Sequence, residues 1–189
     1  MKVIAVNNGI FLYPPADVVY ATDLRWWKTY YAGVNKVSDA LRVSTRPFPG
    51  VHRVAVPEVG DNRRSTIIFN PKGLIGSGGN SGFQALNLAV QFGAKRIILV
   101  GFDMTVEYGT HWHGDHPGLL RNPEADLIDK WRRTLDKQSM PLREAGVTVL
   151  NASPYSALEA YPKLTLMEAL NAFLDDGGRH PMGCVGTAL

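Results

Sequence analysis

The chain has 189 residues, of which 45% are apolar, 10% aromatic and 20% charged, the profile of an ordinary globular protein. Lys and Arg exceed Asp and Glu by three, and no long basic run accompanies that small excess, so nucleic acid is not indicated. No run of 18 apolar residues suggests a membrane helix, the start MKVIAVNNG lacks the regions of a signal peptide, and one cysteine excludes an internal disulfide framework. A cytoplasmic protein is expected, with one domain over residues 1–176 and a mobile or interface tail over 177–189.

Internal repeats and low-complexity tracts are absent. Short apolar runs, each ending in a polar or Gly-rich break, recur instead. Lys2–Val6 leads into Asn7-Asn8-Gly9, and Val18–Thr22 into Asp23. Leu24–Val34 then carries Trp27, Tyr30 and Tyr31 at helical spacing. Together with Trp26, these aromatics are expected in the core and at a contact between copies of the chain. Leu41–Val56 reads as two strands, and Pro57–Arg64 as an exposed loop whose Arg63 and Arg64 could meet a phosphate.

Ser65–Phe69 predicts a third strand, followed by a dense Gly stretch and a helix over Ser81–Phe92. Ser81 and Gln84 have capping-box spacing, and Gly93 suits the helix end. Arg96–Val100 is the fourth strand and Val147–Leu150 the fifth. Between them Glu124–Ala145 predicts a long helix that Pro141 should kink or break. Thr165 and Glu168 form a capping box before Leu166–Leu174. Nearly continuous β-branched runs alternating with helices predict a Rossmann-like α/β fold, a mostly parallel sheet flanked by helices.

Ligands of such sheets bind beyond the carboxyl ends of the strands. Asn7, Asn8, Asp23, Asp103 and Asn151 all fall at that edge. So does Gly76-Ser77-Gly78-Gly79-Asn80-Ser81-Gly82, four glycines in seven residues before a helix. Backbone N–H groups beside a helix N-terminus suit a phosphate. The loop is neither a P-loop nor the G-x-G-x-x-G fingerprint.

His111-Trp112-His113-Gly114-Asp115-His116 spells the H-x-H-x-D-H zinc-ligand string of the metallo-β-lactamase family. That family needs a further histidine and aspartate well downstream, and the only later histidine here is His180, in the tail, so a zinc-dependent hydrolase using His111, His113 and His116 is the rival reading and zinc is not favoured. Without metal, one histidine of the tract is expected to act as general base, oriented by Asp115.

The segment GSGGNSGFQALNLAVQFGAKRIILVGFDM, residues 76–104, resembles the central βαβ block of two related groups. One is the family-42 glycosyltransferases, bacterial sialyltransferases that use CMP-sialic acid. The other is the DUF115 group, with its motility accessory factors and MptE-like pterin pyrophosphokinases. The continuation through GTHWHGDHPG and VTVLNASPYSALEAYPK is similar to small bacteriophage proteins, which would place the chain in the host cytoplasm. The resemblance implies a nucleotide-dependent, glycosyltransferase-like transferase acting on a nucleotide or nucleotide-sugar ligand. Its nucleotide-binding residues would be Asn8, Asp23, Ser81, Gly82, Gly101 and Asp103, with Tyr108 on the phosphate. Asn7, Gly76, Ser77, Gly78, Gly79 and Asn80 join them from the pattern of breaks, and the catalytic candidates are His111, His113, Asp115 and His116. No cofactor is required for glycosyl transfer, whereas pyrophosphoryl transfer would add Mg²⁺. A phage protein that only binds or sequesters a nucleotide-derived ligand would need the same pocket. A homo-oligomer is compatible with all of these readings.

Overall fold

A computed structural model describes residues 1–107 and 124–175. The 177–189 tail lies outside them, as do Tyr108 and the His111–His116 tract. The chain is α/β, as expected. Six short strands are separated by helices, and every strand pairing is parallel. In chain order the elements are β1 (Ile4–Val6), α1 (Gly9–Leu12), β2 (Val18–Tyr20), α2 (Leu24–Val37), β3 (Leu41–Ser44) and β4 (His52–Arg53). They continue with α3 (Ser81–Gln91), β5 (Arg96–Leu99), α4 (Ala125–Asp136), α5 (Ser139–Glu144), β6 (Thr148–Asn151) and α6 (Leu166–Asp175). No helix among the described residues is long and apolar enough to cross a membrane.

The strands form two sheets: β1-β2-β3-β4 in that order, and the pair β5-β6. Helix α3 joins them. Its Ala85 and Leu88 pack with Val18, Tyr20 and Val43 of the first sheet. Its Phe83, Leu86 and Val90 pack with Leu99 and Val149 of the second. A helix that serves two apolar faces must be buried on nearly all sides, and nine of its eleven residues are. A separate core lies under α2, where Trp26 and Trp27 meet each other edge to face and cluster with Val19, Ala21 and Val34. Two of the four expected aromatics are therefore core residues, and Tyr30 and Tyr31 pack against them.

The expected strand at Ser65–Phe69 does not form. Asn62–Ser65 is a 3₁₀ turn, Thr66 after it is extended, and residues 66–69 have no strand partner. Their backbone groups bond to side-chain amides instead. Asn87 accepts from Ile68 N–H (2.9 Å) and Gly76 N–H (2.7 Å) and donates to Ile68 C=O (2.9 Å). Gln91 accepts from Gly73 N–H and donates to the carbonyls of Ile68 and Leu74. Gln84 donates to Ser77 C=O and accepts from the Tyr20 hydroxyl. Gln138, from beyond α4, accepts from Ile67 N–H. Positions 84, 87 and 91 lie on one helix face, so the amides form a ladder along which residues 66–77 are hung.

Helix ends also differ in detail. Asn80, not Ser81, caps α3: its backbone is extended and its Oδ1 accepts from Phe83 N–H at 2.8 Å. Ser81 and Gln84 are thereby released from the expected capping box, and both bond across the fold. The long helix breaks at Lys137-Gln138, four residues before Pro141. Pro141 instead sits in the first turn of α5, where its missing N–H leaves no intrahelical bond unmade. The Thr165–Glu168 box is formed, with Glu168 N–H donating to Thr165 Oγ1 and the Glu168 carboxylate accepting from Thr165 N–H. Those bonds hold the Glu168 carboxyl below the usual carboxylate range.

Asn87→Leu keeps the branched shape of the side chain but leaves two buried backbone N–H groups, those of Ile68 and Gly76, without partners, while Ile68 C=O keeps Gln91. At about 1–3 kcal/mol for each, the variant is expected to lose at least about 2 kcal/mol of stability in urea unfolding. A loss below about 1 kcal/mol would contradict the ladder's role.

Candidate functional site

The first turn of α3 is where the two sheets' carboxyl ends meet. From the β2 side, Thr22 N–H donates to Ser81 Oγ at 3.2 Å, and the Thr22 and Thr45 hydroxyls bond at 2.6 Å. From the β5 side, the Phe102 ring lies against Gly82, close enough that an added Cβ would stand 3.0 Å from it. From α4, the Trp131 indole nitrogen would stand 2.8 Å from a Cβ at Gly79. Thr22, Thr45 and Trp131 were not singled out in the sequence. Their partners are 23 to 59 residues away, or are the backbone of a glycine, and spacing carries no sign of either.

The Gly76–Gly82 loop divides in two. Its first half is committed to the fold. Gly76 N–H donates to Asn87, and the N–H groups of Ser77 and Gly78 both donate to Arg64 C=O. A Cβ at Gly76 would overlap Thr66 O at 1.9 Å, and one at Gly78, where φ is +52°, would overlap the Phe83 ring at 2.0 Å. Those glycines are explained by close packing, and the N–H groups of residues 76–78, expected in a phosphate cradle, are spent on Asn87 and Arg64. In the second half, the N–H groups of Asn80, Ser81 and Gly82 have no acceptor among the described residues. They carry the positive end of the α3 dipole.

The expected residues of the first sheet separate by role. Asn7 N–H bonds Tyr20 C=O, which fixes Asn7 at the β1–β2 edge in a left-handed conformation (φ +49°). Its Oδ1 is buried and has no hydrogen-bond partner among the described residues. Asn8 is different, because its Oδ1 accepts from Trp26 Nε1 at 2.7 Å and so holds α2 against α1. Asp23 caps α2, accepting from Arg25 N–H. Arg63 grips Asp61 and Arg64 donates to Pro57 C=O, so both arginines serve their own loop. Among the described residues, no group of three His, Cys, Asp or Glu side chains is arranged to hold a metal ion.

Comparison with family models, with curated proteins and with solved structures returns no match for this chain. The site therefore stands on its own geometry.

At the end of β5, Gly101 (φ +72°) and Met104 (φ +51°) bracket Phe102 and Asp103. Phe102 N–H donates to Ser153 Oγ (2.8 Å), the Ser156 hydroxyl donates to Phe102 C=O (2.6 Å), and Ala157 N–H donates to Asp103 C=O (2.7 Å). Ser153 is placed in turn by Asn151, whose Oδ1 accepts from Ser153 N–H. Asn151 thus supports the rim from inside and is fully buried. Ser153 and Ser156 were readable only as a polar stretch after a strand. Asp103 keeps an exposed side chain, yet crowding by its neighbours raises its pKa above the ordinary value. Asp17, Asp61 and Asp129 are shifted the other way by Lys2, Arg63 and the Arg132–Arg133 pair.

A carboxyl raised above its unfolded value of 3.8 favours the protonated form on folding. The stability linked to it is present below that value and is lost as pH rises through the folded pKa. Asp103→Asn removes this loss. Its Tm is expected to exceed the parent's at pH 7 and to match it at pH 3, and an equal Tm at both pH values would refute the strained carboxyl.

Proposed function

We propose that the chain is a nucleotide-dependent transferase that binds a nucleotide-activated donor, of the nucleotide-sugar class, at the first turn of α3. The observation that carries this reading is the open set of N–H groups at Asn80, Ser81 and Gly82, set where the carboxyl ends of β2 and β5 converge. A donor phosphate is the natural occupant of such a helix end. As the donor bond breaks, charge grows on that phosphate, and preorganised N–H dipoles stabilise it without moving. The unpartnered Asn7 Oδ1 supports a nucleotide in particular, since a buried acceptor is satisfied by an N–H of a base. Trp131 and Phe102 supply flat apolar surface on either side of the turn. No cofactor is needed for this chemistry. The histidines expected as the base lie outside the described residues.

Thermal-shift measurements against CMP, UDP, GDP and ADP sugars test the donor site. One nucleotide class is expected to raise Tm by about 5–10 °C at a concentration of about 100 Kd. Asn7→Ala is expected to weaken that nucleotide about tenfold by isothermal titration. If all four classes leave Tm unchanged at millimolar concentration, the chain is not a nucleotide-dependent transferase.

A further inference from the structure

We propose that Thr22 selects the sugar of the donor, taking one with a hydroxyl or acylamino group on the carbon next to the phosphate-bearing carbon. The inference rests on the nucleotide-donor reading above. Tyr20 and Val43 are register partners on β2 and β3, and both pack toward α3. Thr22 and Thr45 follow them by two residues each, and their hydroxyls meet at 2.6 Å. Thr22 N–H donates to Ser81 Oγ at 3.2 Å, which sets Thr22 beside the N–H groups proposed for the phosphate. Thr45 is buried and Thr22 half-buried, so Thr22 is the member of the pair open to a ligand.

The protons of this cluster can be counted. Gln84 Nε2 donates to Ser77 C=O, which only accepts, so Gln84 Oε1 is fixed as an acceptor and the Tyr20 hydroxyl donates to it at 2.7 Å. Both threonine hydroxyls are set as donors toward the Tyr20 oxygen. Three hydroxyls bring three protons. One passes from Tyr20 to Gln84, one from a threonine to Tyr20, and one joins the two threonines. None is left over, whichever threonine donates to Tyr20. The pair therefore offers a ligand lone pairs and no proton. A chain of hydroxyls that all donate one way also polarises its members, which strengthens the acceptor at its open end.

An acceptor beside a phosphate site calls for a donor on the ligand. In a nucleotide sugar the phosphate is flanked on one side by the ribose methylene, which offers no donor. On the other side stands the anomeric carbon of the sugar, and the neighbouring carbon carries the hydroxyl or acylamino group. That O–H or N–H donates to Thr22 Oγ1. A sugar with a methylene at this position leaves the threonine lone pairs unsatisfied, and a carboxylate on the anomeric carbon, as in sialic acid, sets two acceptors face to face. A site built to bond a polar group rejects the analogue that lacks it. The donor class is thus an aldose with this donor group in place, not the sialic acid that the sequence resemblance implies.

The test is isothermal titration with UDP-glucose, ADP-glucose and GDP-mannose, each beside its 2-deoxy-2-fluoro analogue, and with CMP-sialic acid. Fluorine fills the space of the hydroxyl without supplying its proton. The parent is expected to bind a hydroxylated donor at least about fivefold more tightly than the fluoro analogue. Thr22→Val, which keeps the shape of the side chain, is expected to lose that preference, and Thr22→Ser, which keeps the hydroxyl, to retain it. A parent preference below fivefold overturns the inference and leaves the nucleotide-donor reading intact. So does a fivefold preference that survives in Thr22→Val or is lost in Thr22→Ser, and so does CMP-sialic acid as the tightest ligand. If none of these donors binds, the nucleotide-donor reading fails and this assignment fails with it.

Discussion

The fold depends on a row of amides inside one helix. Gln84, Asn87 and Gln91 are buried on α3, where an apolar residue would be the default. Their presence is required by residues 66–77, which make one β-bridge, Leu74 to Ala55, and otherwise leave backbone groups in need of partners. An amide offers a donor and an acceptor from one side chain, which suits a backbone that presents both. The arrangement is all or nothing, because a partly satisfied buried network is worse than an apolar one. Because the ladder fixes residues 66–77 to α3, and α3 lies between the two sheets, it also sets where the first turn of α3 emerges.

That emergence explains the rim. Thr22 reaches Ser81 from one sheet and Phe102 reaches Gly82 from the other, so both sheets are registered on the same two residues. Gly82 is the permissive element: any larger side chain there would push the Phe102 ring away and with it the Asp103 loop. The rim therefore behaves as one unit, in which the first turn of α3, Thr22 and the Phe102 loop are held by a common frame. Elsewhere on the surface, charge is neutralised locally, as in the Arg132 cluster with Asp129, Asp136 and Glu159. Such exposed pairs contribute little to stability.

The α/β class was legible because five apolar runs of nearly uniform length alternate with helical patterns. Four of the five became strands, with ends shifted by one or two residues. The failure at Ser65–Phe69 is informative. Thr66, Ile67 and Ile68 have the β-branched character of a buried strand, Thr66 is extended and Ile67 and Ile68 are buried. Whether an extended run joins a ladder depends on what lies beside it, and here the neighbour is a helix face carrying Asn and Gln. The pattern at 84, 87 and 91 was present in the sequence, but polar residues at helical spacing ordinarily mark a solvent face. The cap of α3 was misplaced by one residue because Asn80 and Ser81 are both good N-caps, and only long-range demand on Ser81 from Thr22 separates them.

The glycine loop shows how composition and chemistry part company. Four glycines before a helix suggested one anion cradle over the whole stretch. The packing divides it: Gly76 and Gly78 are glycines because Thr66 and Phe83 occupy the space of a side chain. Arg64 C=O takes the N–H groups of Ser77 and Gly78, which would otherwise turn toward a ligand. Removing those donors from the cradle does not weaken the site. It concentrates the open N–H groups at Asn80, Ser81 and Gly82, where the helix dipole is strongest and where Thr22 and Phe102 already converge. The tight half of the loop thereby anchors the open half, as the proposed anion site would require, since donors held rigid before a ligand arrives need no reorganisation when charge develops on it.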